Sequence, residues 1–266
     1  MKYLSHLKNI FFIISTSLLI LSGCSSKKNI LRVAATPVPH TEMLEFIKPD
    51  LKAQGIDLVI ITTNDYNMPN RALAEKEIDA NFFQHLPFLE LQINEFNFPI
   101  QSIGKIEIEP MGVYSKKIKS ISDLKDLAVI AIPNDPSNEG RALLLLQAHG
   151  IIQLKDPNNF CATVLDISHN PKHLQFMEVD AALLSRSLQD VDAAAINTNY
   201  ALSINLNPLR DALILENPNS PYVNIIAVRI GEENHPNIQA LKIAMTSAKM
   251  REFILQKYQG AVIPAF

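Results

Sequence analysis

Short apolar runs and amphipathic stretches alternate along this chain, and the alternation is laid out twice, which restricts it to a layered α/β architecture with mostly parallel sheets. Residues 31–35 are an apolar run closed by Thr36, Pro37, Val38 and Pro39. A helical stretch follows, with Met43, Leu44, Ile47 and Leu51 on one face and Gly55 as its stop. Pro49 lies inside it, so a kink or two short helices are expected. Residues 58–61 and 78–83 read as strands, 70–77 and 87–94 as brief helices, and 101–114 as extended chain. The pattern restarts at Ser122-Asp123-Leu124, with a strand over 128–132 and a leucine-rich helix over 141–149 ended by Gly150. Short strands are then expected over 180–185 and 193–197, and a helix over 200–204. A clear strand covers 222–229, and one or two helices over 236–257 pack back.

Two such units joined by extended crossings, outward over 109–115 and back over 221–228, place a cleft between two lobes. Clefts between domains are where small ligands usually sit. The division expected is 31–113 with 223–266 in lobe 1 and 114–222 in lobe 2, a hinged binding protein closing by domain rotation. With 47% hydrophobic and 19% charged residues, the chain can bury a core. A net charge of −3 and no basic block in the folded part exclude nucleic acid as a partner.

The N-terminus is of another kind. Lys2 and Lys8 precede an almost wholly apolar stretch, 10–21, which suits a signal-peptide core and is too short to span a bilayer. It ends in Leu21-Ser22-Gly23-Cys24, which resembles the lipobox of bacterial lipoproteins. On that reading residues 1–23 are removed, Cys24 carries lipid, and the Ser/Lys-rich stretch 24–30 is a tether to the membrane. An ordinary signal peptide with a chance cysteine is the alternative. Ser25, rather than Asp, favours the outer membrane in a cell that has one. Cys161 then has no partner and reads as a small buried apolar residue. With no Cys/His cluster at metal-ligand spacing, no Gly-rich phosphate loop, no G-x-S-x-G elbow and no paired histidines, neither enzyme nor metal or cofactor carrier is expected.

Three segments break local rules. In Asp79-Ala80-Asn81-Phe82-Phe83-Gln84-His85-Leu86-Pro87-Phe88 a strand ends in aromatics, an amide and a histidine. It reads as a pocket wall at the carboxyl end of a strand; a plainer role puts Phe82 and Phe88 in the core and makes His85 a helix cap. In Asn134-Asp135-Pro136-Ser137-Asn138-Glu139-Gly140-Arg141, Asp135 or Ser137 can cap a helix and Gly140 permits close backbone approach. Arg141, in the first helical turn, combines with helix-terminal N–H groups as a carboxylate receptor; the alternative is an exposed Arg paired with Glu139. Asn197 and Asn224 sit at strand ends, where an amide can donate to a carboxylate and accept from an ammonium, or simply form a turn.

These segments, with Ala35-Thr36-Pro37-Val38-Pro39-His40, Asn64-Asp65-Tyr66, Ser220-Pro221-Tyr222-Val223-Asn224 and Gly260-Ala261-Val262, resemble the methionine-binding lipoprotein family in order along the mature chain. The resemblance implies a type II periplasmic-binding-protein fold and a receptor that captures L-methionine, or a close analogue, for an ABC permease and its ATPase. It gives Arg141 the ligand carboxylate, Asn197 and Asn224 its carboxylate and amino group, and Tyr66, Phe83, His85 and Phe88 the thioether side chain. The chain departs from the family at Val38, where Gly-rich spacing is usual, and at Phe82 and Phe88, where Tyr is frequent. Loss of a hydroxyl at Phe88 points to another apolar amino acid or a methionine-containing dipeptide as alternative ligands. An envelope interaction lipoprotein without transport is the alternative of another class.

Overall fold

The computed structural model describes residues 29–266; Cys24 and the expected signal peptide lie outside them. The first half runs β1 (Ile30–Ala35), α1 (Glu42–Ala53), β2 (Asp57–Thr62), α2 (Met68–Ala74), β3 (Ala80–His85), α3 (Leu86–Phe96) and β4 (Ile100–Ile108). There follow β5 (Gly112–Tyr114), β6 (Val129–Pro133), α4 (Pro136–Ala148), β7 (Gln153–Leu154), β8 (Ile167–His169), β9 (Gln175–Val179), α5 (Leu184–Ser187) and β10 (Ala193–Ile196). The chain closes with α6 (Thr198–Ser203), α7 (Pro208–Asp211), β11 (Ile214–Leu215), β12 (Val223–Arg229), α8 (Pro236–Met245), α9 (Ala248–Tyr258) and β13 (Ile263–Pro264).

One sheet has the order β13-β4-β12-β3-β1-β2 and the other β11-β5-β10-β6-β9. The chain leaves the first sheet after β4, through Glu109, Pro110 and Met111, and returns between β11 and β12. Pairings β1–β2, β1–β3, β6–β10 and β6–β9 are parallel, whereas β12 runs antiparallel between β3 and β4. Each sheet has its own core. In one, Met43, Leu44, Ile47 and Leu51 of α1 pack with Leu31, Val33, Phe82 and Ile226; in the other, Leu143 and Leu146 of α4 pack with Ile130, Ile132 and Ala195. Among the described residues no helix is long and apolar enough to cross a membrane.

Four local expectations need correction. Helix α1 is continuous through Pro49, which is exposed, so the apolar face is uninterrupted. Residues 180–185 are not a strand: the Asp180 carboxylate accepts from the Ala182 N–H and starts a 3₁₀ turn leading into α5. Strand β9 was not foreseen because its residues are half-buried or exposed and form no apolar run. Cys161 is exposed rather than buried. In its turn the backbone faces inward: the Phe160 carbonyl lies against α4, and Ala162 fills the core.

Candidate functional site

One cavity collects residues that follow strands of both sheets. Its lining includes all seven residues singled out in the folded part of the sequence: Tyr66, Phe83, His85, Phe88, Arg141, Asn197 and Asn224.

One wall is aromatic. The rings of Tyr66, Phe83 and Phe88 stand 5.8–6.0 Å apart, centroid to centroid. Strand alternation alone would not aim Phe83, His85 and Gln84 together. The pairing of β3 with β12 slips so that Phe82 faces Ile226 and Gln84 faces Ile225, which leaves Phe83 as the extra residue of a bulge. Bulges re-aim side chains next to functional sites. Phe82 turns into the core, as the plainer reading had it, while Phe88 reaches the cavity. His85 serves both of its proposed roles: its Nδ1 caps α3 by accepting from the Phe88 N–H at 3.2 Å, and its ring lines the cavity. Burial, and then the charge of Arg141, push this imidazole down to about 3. The ring is therefore neutral, and its Nε2–H donates to Asn138 Oδ1 at 3.2 Å.

Arg141 stands on the second turn of α4, not the first. Pro136 begins the helix and Asp135 caps it, accepting from the Asn138 N–H at 3.0 Å. The expected receptor made of helix-terminal N–H groups plus guanidinium is therefore not formed, and the buried guanidinium acts alone. It is paired with Glu216, not Glu139, whose carboxylate accepts from the Val164 N–H. Its Nη2 also donates to the Glu109 carbonyl at 2.7 Å, and the Tyr222 ring lies 4.4 Å from its Cζ. Burial works against its charge, but Glu216 outweighs that and holds its pKa above the ordinary Arg value. Nη1 has no hydrogen-bond partner among the described residues. Gly140 is required one residue earlier: a Cβ there would come within 2.2 Å of the Phe160 carbonyl oxygen.

The two asparagines are fixed by their donors. Asn138 Nδ2 binds both Asp135 oxygens, so its Oδ1 accepts from Asn197 Nδ2 at 2.7 Å. Asn197 Oδ1 is left buried and unpartnered among the described residues. Asn224 Nδ2 donates to Glu107 Oε1 at 2.7 Å and Glu109 Oε1 at 3.0 Å. Each amide thus offers the cavity an acceptor rather than a donor.

His40, Glu107 and Glu109 were not foreseen. Register places Asn224 of β12 between His85 of β3 and Glu107 of β4. His40 Nε2 comes within 3.5 Å of Glu107 Oε1 and 3.2 Å of Glu109 Oε1, and its Nδ1 bonds Thr36 Oγ1 at 2.7 Å. A His and two carboxylates can hold a cation, but here the carboxylate oxygens converge on the Asn224 amide, an N–H donor. The alternating i, i+2 acids of Ile106-Glu107-Ile108-Glu109 were the available signal.

Polar contacts close the cleft across the two halves. Tyr66 Oη donates to Asn199 Oδ1 at 2.7 Å, and Tyr200 Oη to the Asn64 carbonyl at 2.9 Å. His85 to Asn138 is a third such bond.

Comparison with known proteins places this geometry. The family described as NlpA lipoprotein matches residues 31–266. A methionine-binding lipoprotein, MetQ, of Bacillus subtilis is 43% identical over 91% of this chain and 90% of its own length. The D-methionine-binding lipoprotein MetQ of Escherichia coli is 38% identical over 92% of this chain and 93% of its own. A solved nutrient-binding protein from Burkholderia cenocepacia, bound to methionine, superposes with a TM-score of 0.86 at 45% identity, covering 89% of this chain and all of that one. Two sheets linked by two crossings are thus a periplasmic-binding-protein fold, a binding rather than a catalytic scaffold. The chain belongs to the NlpA lipoprotein family.

Proposed function

We propose that this chain is the substrate-binding lipoprotein of an ABC importer, held at a membrane of the cell envelope through Cys24, and that it captures L-methionine for a permease and its ATPase. The observation that carries the reading is a single cavity lined by a buried cation, two amides and an aromatic cluster. Arg141 Nη1 offers a buried cationic donor for a carboxylate. The Asn197 and Asn224 carbonyl oxygens are acceptors for an ammonium. The Tyr66, Phe83 and Phe88 box suits a thioether, whose sulfur gains from aromatic contact. Both asparagines then bind the amino group, which revises the division of labour that resemblance alone implied. The units that close on the ligand are the one built on the first sheet and the one built on the second. Because β5 (Gly112–Tyr114) pairs in the second sheet, the division falls before it rather than at 113. The MetQ relatives, named for methionine or D-methionine, support the ligand class.

Calorimetric and thermal-shift titration with L-methionine, D-methionine and a methionine-containing dipeptide tests the reading. L-Methionine is expected to bind and to raise the melting temperature, and Arg141→Ala to abolish the effect. A dipeptide or another apolar amino acid binding in preference to methionine would overturn the substrate; no amino-acid ligand at all would favour an interaction lipoprotein.

A further inference from the structure

Beside the ammonium end of the cavity two carboxylates are buried against each other. Glu107 and Glu109 share one donor, Asn224 Nδ2, through their Oε1 atoms, and His40 Nε2 faces the same two atoms. Glu109 lines the cavity, whereas Glu107 Oε2 is buried without a partner among the described residues. Two carboxylates at such close range do not both stay ionised in a site of low dielectric. Burial, and then Glu107, hold the Glu109 carboxyl well above the ordinary carboxylate range, while Arg141 and the Asn199 backbone N–H pull the other way. The other titratable groups facing the pair are Tyr66 and Tyr258, both of which burial keeps neutral, and Tyr258 donates to Glu42.

We propose that Glu109 is a specificity residue of this cavity, and that the ammonium of a zwitterionic amino acid displaces a proton held between Glu107 and Glu109, so that ligand capture releases about one proton to solvent. The proposal rests on the amino-acid reading of the cavity and adds to it a charge balance. An incoming zwitterion is neutral, and its carboxylate is matched by Arg141, whose own charge Glu216 already offsets. The pair with its shared proton carries a single negative charge, and the ammonium's positive charge beside it favours departure of that proton. The bond made is a charge-assisted hydrogen bond from the ammonium to Glu109. The bond broken is the carboxyl O–H, whose proton leaves to water. The sign follows: ligand favours the deprotonated pair, so affinity rises with pH, by up to about tenfold per unit, until the ligand-free pair is itself ionised, and is flat above that. An analogue lacking the amino group has nothing to exchange for the proton.

The test is calorimetric titration of L-methionine into the full protein across about pH 5 to 8. Pairs of buffers hold each pH and differ in ionisation enthalpy, acetate or MES against Bis-Tris in the lower part and phosphate against imidazole in the upper. The slope of observed heat against buffer ionisation enthalpy counts protons. Wild type is expected to release close to one in the lower part of that range. Glu109→Gln and Glu107→Gln are each expected to remove the buffer dependence, and His40→Asn to retain it. Methionine binding with the same heat in every buffer and an affinity flat in pH would overturn the proposal. Loss of the release in His40→Asn, with release intact in both glutamine variants, would overturn it by making the imidazole the proton source. Absence of any heat or thermal shift with methionine would instead overturn the functional reading beneath it.

Discussion

Arg141 and Glu216 form a buried two-pronged ion pair, Nε to Oε1 at 3.0 Å and Nη2 to Oε2 at 2.6 Å. Both partners are more than nine-tenths buried, and the pairing leaves Nη1 as the open edge of the guanidinium. Glu216 comes from the segment that returns to the first sheet, so it aims the cation from outside α4. Glu216→Gln strands the buried Arg charge and is expected to cost about 3–5 kcal/mol of stability. Urea unfolding checks this; an unchanged midpoint would show that the pair does not hold Arg141. Arg141→Met, of similar volume, is expected to weaken methionine binding by about 2–5 kcal/mol.

The bond from Tyr66 to Asn199 crosses the cleft, whereas the Tyr66 ring is part of the aromatic box. Tyr66→Phe keeps the ring and deletes the hydroxyl. A neutral hydrogen bond contributes about 0.5–1.5 kcal/mol, so affinity should fall roughly two- to tenfold. The loss is expected in a faster dissociation rate, which stopped-flow measurement reads, because the bond forms on closure.

His85 makes stability depend on acid. Its folded value, about 3, lies below its ordinary value of 6.5. Its contribution is therefore present in full above about pH 6.5 and is lost as pH falls from there towards 3, at up to about 1.4 kcal/mol per pH unit. His85→Gln should flatten the melting temperature against pH between roughly 6.5 and 4. An equally steep acid limb in the variant would assign the effect to other groups.

At Gly140 on α4 an added methyl group would meet backbone. A Cβ there lies 2.2 Å from the Phe160 carbonyl oxygen, so helix or turn must shift. Gly140→Ala is expected to cost about 1–3 kcal/mol despite alanine's better helix propensity, and to displace Arg141 and weaken binding. A stabilised variant with wild-type affinity would refute this packing.

Much of the site was legible because the chain writes it at element ends. Tyr66, His85, Phe88, Asn197 and Asn224 stand where a strand or helix begins or stops, while Phe83 lies inside β3 and Arg141 inside α4, and the polar or aromatic residues interrupt otherwise apolar runs. Four things were not legible. The aim of Phe83 depends on a bulge against β12, a pairing across about 140 residues of chain that local patterning does not encode. The donor–acceptor sense of Asn197 and Asn224 depends on partners distant in sequence, Asn138 and Glu107. The first turn of α4 is polar, so the helix read from its leucines started late and put Arg141 at the wrong place on it. The paired acids Glu107 and Glu109 lie in a stretch that reads only as extended chain, and β12 and β13, which pair with β4 on its two edges, come more than 100 residues later.

A crystal structure of the protein grown with L-methionine would show whether the cavity reads an amino acid as described. The sulfur is expected among Tyr66, Phe83 and Phe88, the carboxylate on Arg141 Nη1, and the ammonium facing Asn197 Oδ1, Asn224 Oδ1 and Glu109. A ligand in the reverse sense, with its carboxylate towards Glu109, or one bound outside this cavity, would refute the assignment.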